Sequence, residues 1–297
     1  LGFIKPHAAD HAAAWTRIQA LLQSNGIQLQ GEIQITGSEI RKAGLIDRHY
    51  AVIARVGAAN SPAQLDLDAQ GAARFQQAFG LAWADALAQG RLYSGVAAGR
   101  RFHLSAGLLM ELWMAHHPVK LGGGFYAAYF PDQQVYVLNG FYPSIRDLYT
   151  ADRAQVRCFL MNFDEARLTW RRFRDAVIGA TDPAKADPAS IRGALFRAGR
   201  ELNLALDFRD NAIHASASPL EAALEKSVWL ADFQPDSDPL FQYLAPRGWS
   251  WEDLLRIGRT NPLIPAGDRT LPLIDAVENL DTPAVAERLL ALGIPAP

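Results

Sequence analysis

The alternation of two hydrophobic periods at the N-terminus constrains this chain more than any other feature. LGFIK is a short apolar run stopped by Pro6, whose ring and missing N–H suit a strand end. Trp15, Ile18, Leu21 and Leu22 then recur at helical spacing, and Asn25-Gly26 supplies the stop. IQLQGEIQI comes next with the period of two that marks a half-buried strand, and GSEIRKAGLIDRHYAVIARV returns to helical spacing through Tyr50 and beyond. The chain therefore opens β-α-β-α.

Residues 58–118 are less regular. They are Ala-rich and break at Gly and Pro into short helices, a candidate insertion. GGFYAAYF and QVYVLNGF, separated by Pro131-Asp132-Gln133, read as a hairpin, and the glycine run 122–124 suits its backbone better than a phosphate cradle because a strand comes after it. VRCFLMNF reads as a strand and LTWRRFRDAVIG as a helix. Ser218-Pro219-Leu220-Glu221 has the pattern of a capping box with Pro at the first helical position, so a helix is expected from there to about Leu230. The remainder reads as a helical C-terminal extension in which Trp249 and Trp251 serve as docking anchors.

Composition narrows the function classes. Lys and Arg total 29 against 31 Asp and Glu, a formal charge of -2, so no global basic field points to nucleic acid. With 49% hydrophobic and 20% charged residues the chain suits a soluble globular protein. No stretch reaches the roughly 18–20 apolar residues of a membrane span, and no secretory signal pattern is visible. The single cysteine, Cys158, lies in an apolar run as a buried thiol and excludes an intrachain disulfide framework. The cytoplasm is the expected compartment.

The phosphate-binding pattern GxxxxGK[ST] and the protein-kinase HRD and DFG signatures are absent. A phosphoryl transferase built on this chain would need another design, such as a neutral imidazole that accepts and releases a phosphoryl group among cations. Three ordered segments, FIKPHA, GATDPAKADPASIRG and NAIHASASPLEAALE, resemble the nucleoside diphosphate kinase family. The resemblance covers roughly residues 1–50 and 140–230. It implies an α+β fold with a ferredoxin-like four-stranded antiparallel sheet and covering helices, here with a helical and hairpin insertion at about 51–139. Residues 1–232 would form the kinase-like domain and 233–297 a helical extension packed on it.

The implied activity moves the terminal phosphate of a nucleoside triphosphate to a nucleoside diphosphate by ping-pong transfer through phosphohistidine. Position by position, His214 matches the phosphorylated histidine, Glu225 the carboxylate that orients it, and Ser216 the serine that steadies the carboxylate. Lys5, Thr181, Arg192 and Asn211 match phosphate and sugar contacts, and Arg174 a second phosphate arginine, one residue farther from Thr181 than usual. Tyr50 matches a tyrosine beside the active histidine, Phe141 the aromatic that stacks on the base, and Ile145 lies one helical turn later. The family further implies Mg2+ held by the nucleotide phosphates, nucleoside di- and triphosphates as partners, and a homo-oligomer, while the charge balance and the lack of an apolar span lead us to expect no nucleic-acid or membrane partner.

Departures from the pattern carry alternatives. His7 stands where the family has an acidic residue, Ala215 and Ala217 replace a glycine and an aspartate after the histidine, and Arg171 or Arg172 could serve instead of Arg174. These departures leave room for a nucleotide-binding or interaction protein with reduced phosphotransfer, or for a phosphotransferase with another acceptor. His7 and His11, four apart, could share a helix face as metal ligands, but no cysteine or acidic partner completes such a set.

Overall fold

The computed structural model describes residues 1–65 and 67–294. The chain divides into two compact units, one made of residues 1–39 with 153–297 and the other of residues 40–152. Both mix helices and sheet, so the architecture is α+β.

The first unit opens with β1 (Gly2–Ile4), α1 (Ala12–Ser24) and β2 (Gln28–Thr36). α1 is capped by His11, whose Nδ1 accepts the Ala14 N–H at 3.2 Å, and it buries Ala14, Trp15, Ile18 and Leu22. His11 thus begins this helix and shares no face with His7. β2 departs from the half-buried strand its alternation predicts, because only Ile35 is buried and Ile33 is 41% exposed. The strand lies at a sheet edge, and Gly31, at φ 57°, inserts a bulge that shifts the register between Gln30 and Glu32.

The second unit holds a sheet of β3 (Leu92–Ser94), β4 (Val119–Gly122), β5 (Phe125–Phe130) and β6 (Val135–Leu138) in the order β3-β6-β5-β4. β5 and β6 form the hairpin that the sequence suggests, and Gly124, at φ 68°, lies in the short turn between β4 and β5. The stretch that reads as one long helix is three, Gly37–Ala43, Leu45–His49 and Ala51–Gly57. Gly44 at φ 61° and Tyr50 at ψ 39° break it, because neither holds α-helical geometry. Asp47 joins this region to the helix Tyr142–Thr150, accepting the Tyr142 hydroxyl and a two-pronged contact from Arg146 at 3.0 and 3.1 Å.

In the first unit, β7 (Gln155–Asn162) and β8 (Ile213–Ala215) complete a fully antiparallel sheet in the order β2-β7-β1-β8, and β9 (Leu263–Ala266) pairs with β10 (Arg269–Pro272) as a separate hairpin. α1 packs over the first sheet with the segment Phe173–Ile178 and α2 (Ile191–Arg197), burying Ile18, Leu22, Phe159, Phe173, Ile178, Ile191 and Leu195. Cys158 is buried within β7. α3 (Pro219–Trp229) turns Leu220 and Ala223 into a second cluster with Leu244, Trp249, Leu254, Val285 and Leu289 from the C-terminal helices. Trp251 sits at the margin of that cluster, edge-on to Phe241. Among the described residues no helix is long and apolar enough to cross a membrane.

One glycine in α2 is needed for close approach. A Cβ added at Gly193 would lie 2.1 Å from the Asp187 carbonyl oxygen, and backbone cannot move aside cheaply. Gly193→Ala is expected to destabilise the protein by about 3 kcal/mol, at the upper end of overpacking costs, read as a lower denaturant midpoint with an unchanged m-value.

Candidate functional site

β8 brings His214 to the surface of the sheet beside β1. Phe3 is its register partner, and the two rings stack with centroids 4.5 Å apart at 22°. Ser218 caps α3 by accepting the Glu221 N–H, and two turns later the helix points Glu225 back at the strand. Glu225 Oε1 lies 2.6 Å from His214 Nε2, and Ser216 Oγ donates to Glu225 Oε2 at 2.5 Å. A carboxylate only accepts, so Nε2 carries the hydrogen and the neutral ring has its lone pair on Nδ1. Burial holds the His214 pKa at about 3, with Glu221 raising it and Arg174, Lys5 and Arg192 lowering it. At neutral pH the ring is therefore neutral.

Three cations gather in the same electrostatic neighbourhood. Arg192, 5% exposed at the start of α2, donates from Nη1 to Gly179 O and from Nη2 to Ile213 O, both at 2.9 Å. Burial, then Arg174, pushes its pKa down to about 10. Arg174 lies in the segment Phe173–Ile178, which is a π turn, and donates from Nη1 to Ala215 O at 2.6 Å. A π turn accommodates an extra residue relative to an α turn, which offsets the additional residue between Arg174 and Thr181. Arg171 and Arg172 are exposed. Lys5 donates to Arg209 O at 2.9 Å, and burial followed by Arg192 lowers its pKa to about 8 against the pull of Asp210 and Asp207.

Asn211, 2% exposed, donates to Thr181 O at 3.0 Å and so ties the strand's approach to the loop after Gly179. The Thr181 residue itself is exposed. Arg174 Nε, Arg192 Nε and Asn211 Oδ1 are buried with no hydrogen-bond partner among the described residues. Clustered cations with unused donors favour an anion whose oxygens can accept from them.

Tyr50, Phe141 and Ile145 belong to the second unit. There Tyr50 meets the His49 ring edge-on, Phe141 packs on Trp113 and Tyr126, and Ile145 lies on the helix Tyr142–Thr150. Lys5, Arg174, Thr181, Arg192, Asn211, His214, Ser216 and Glu225 all belong to the first.

The capping box read from Ser218 to Glu221 needs correction. Ser218 Oγ does accept the Glu221 N–H at 3.2 Å, but the Glu221 carboxylate takes the N–H of Ala217, one residue earlier than a reciprocal box requires. Burial and then Glu225 push the Glu221 carboxyl up to about 7. The Ser-Pro-Leu-Glu pattern presents Glu221 only as a cap, yet its spacing of four from Glu225 puts both carboxylates on one helix face. The C-terminal segment also reaches this loop. Asn279 N–H donates to Ala217 O at 2.8 Å, Glu278 lies 4.0 Å from Arg174 Nη2, and Asp281 accepts the Trp170 N–H at 2.7 Å. These long-range contacts had no sequence signal.

No family model matches the chain. A curated nucleoside diphosphate kinase of Methanoculleus marisnigri is 34% identical over 103 residues, 35% of this chain and 51% of that protein. Another, of Rubrobacter xylanophilus, is 49% identical over 49 residues, 16% of this chain and 30% of that protein. The chain thus spans about half the length of the first relative and less than a third of the second. Over part of its length, the chain is distantly related to nucleoside diphosphate kinases.

Proposed function

We propose that the first unit is a nucleoside diphosphate kinase-like phosphotransferase that works through phosphohistidine at His214. The observation that carries this is a neutral imidazole oriented by Glu225 among Lys5, Arg174 and Arg192, two of which keep unused buried donors. The strand order β2-β7-β1-β8 with α1 between β1 and β2 supports a ferredoxin-like reading of this unit. On that reading, residues 51–139 are an insertion and residues 233–297 an extension docked on α3.

The Nδ1 lone pair forms a bond to the terminal phosphorus as the bond from that phosphorus to its bridging oxygen breaks, and a nucleoside diphosphate leaves. The second half-reaction reverses this with another diphosphate as acceptor. Glu225 holds the Nε2 hydrogen and offsets the positive charge the ring gains, while Lys5, Arg174 and Arg192 offset charge on the transferring oxygens. Thr181 and Asn211 add polar contacts to phosphate and sugar. The gathered side chains are cations and an amide, while Glu225 and Glu221 are engaged by His214, Ser216 and the Ala217 N–H. That donor set fits phosphate oxygens, so Mg2+ would be held by the nucleotide and would supply charge neutralisation there.

Incubation with a nucleoside triphosphate labelled on its terminal phosphate is expected to give a base-stable, acid-labile phosphoenzyme that an added nucleoside diphosphate discharges. Nucleotide binding by calorimetry without any phosphoenzyme would instead favour a binding protein that kept the fold.

A further inference from the structure

Asn211, Ala212 and Ile213 form an unusual turn immediately before His214. Ile213 N–H donates back to Asn211 O at 2.8 Å, and Ala212 between them has φ 66°. A three-residue turn of this hand is rare and strained, and alanine seldom adopts it. Ala212 is fully buried, so such a conformation persists only where neighbours hold it. Two do. Lys5 N–H donates to Ala212 O at 2.8 Å, and Ala212 N–H donates to the ring of His7 at 3.1 Å.

The second contact specifies the state of His7. A backbone N–H can donate only to a lone pair, so Nε2 must be unprotonated and the ring hydrogen sits on Nδ1. That Nδ1 faces Asp210 Oδ1 at 3.7 Å, too long for a hydrogen bond, and neither atom has a hydrogen-bond partner among the described residues. The other charged groups facing the ring are Lys5 at the end of β1 and Asp207 and Arg209 on the loop before Asn211. Burial keeps His7 below the usual histidine value, against the pull of Asp210 and Asp207.

We infer that His7 is a positioning residue for phosphotransfer, whose neutral ring holds the strained Ala212 turn and through it the placement of Asn211 and His214. This inference rests on the phosphotransfer reading above. A protonated His7 has no lone pair on Nε2, so the Ala212 N–H would meet another N–H and the turn would lose one of its two supports. Phosphoenzyme formation should therefore be supported above the titration of His7 and weaken as pH falls through it, below 6.5.

The test is single-turnover phosphorylation of the full chain between pH 5 and 8, in the wild type, His7→Phe and His7→Gln. His7→Phe keeps the ring shape without an acceptor and is expected to slow labelling about tenfold at pH 8 and to remove the acid limb of His7. His7→Gln supplies a non-titrating carbonyl acceptor and is expected to label within about threefold of wild type, also without that limb. Any limb near pH 7 from Glu221 should remain in all three proteins. Should His7→Phe fail to fold, the acid limb of His7→Gln decides. A wild-type limb below pH 6.5 that survives unchanged in His7→Gln overturns the positioning role alone, whereas a wild type that takes no label at any pH overturns the phosphotransfer reading and this role with it.

Discussion

His214→Ala protein is expected to take no phosphate from a labelled nucleoside triphosphate while remaining folded. No other side chain among those gathered combines a neutral nucleophile at pH 7 with the hydrogen-bonded support of Glu225, so the covalent route disappears with the imidazole. Loss of a covalent nucleophile removes on the order of 10⁴-fold or more of the rate, beyond what weakened positioning accounts for. The structural cost is smaller. Stacking on Phe3 is lost, worth about 1 kcal/mol, and Glu225 keeps Ser216 as a donor, which limits the penalty of its burial. Phosphoenzyme gel assays beside a thermal melt separate the two effects. Labelling of His214→Ala at the wild-type level would remove His214 as the nucleophile.

Arg192→Lys is expected to lower the rate of phosphoenzyme formation by about 10²-fold and to destabilise the fold by about 1–3 kcal/mol. The guanidinium spans two carbonyls at once, Gly179 O and Ile213 O, and so joins the loop leading to Thr181 with the strand that carries His214. A lysine ammonium is a point donor on a flexible stem and reaches one of them at a time, leaving a buried carbonyl unsatisfied. It also removes the Nε–H that has no hydrogen-bond partner among the described residues and that donates to phosphate on the proposed function. Chemical denaturation reports the structural part and single-turnover labelling at saturating nucleotide the catalytic part. A variant that loses stability yet labels at the wild-type rate would make Arg192 a structural brace only.

His214, Ser216 and Glu225 lie within twelve residues of one another on one strand, one turn and two turns of α3. The resemblance to the nucleoside diphosphate kinases singled them out in the sequence, and the Ser-Pro cap supplied only the start of the helix that carries Glu225. For Arg174, a residue count assuming α geometry rotates the side chain by one residue relative to the family spacing. The π turn over Phe173–Ile178 depends on how that segment packs, with Phe173 and Ile178 both in the core. The edge character of β2 was illegible for a related reason. Alternation reports that one face could be buried, while burial itself depends on what the rest of the chain lays against that face.

By itself, the sequence determined the β-α-β opening, the β5–β6 hairpin, the buried thiol of Cys158 and the start of α3, all of which arise from hydrophobic period, turn residues and caps acting over a few neighbours. Only the tertiary structure decided the partners that come from far along the chain. It set His7 beneath the Ala212 N–H, drew Glu221 onto the Ala217 N–H beside His214, and laid Glu278 and Asn279 against Arg174 and Ala217. The physical reason is that a strained turn, a raised carboxyl pKa and a buried unused donor are properties of surroundings, and those surroundings exist only once distant segments have packed together.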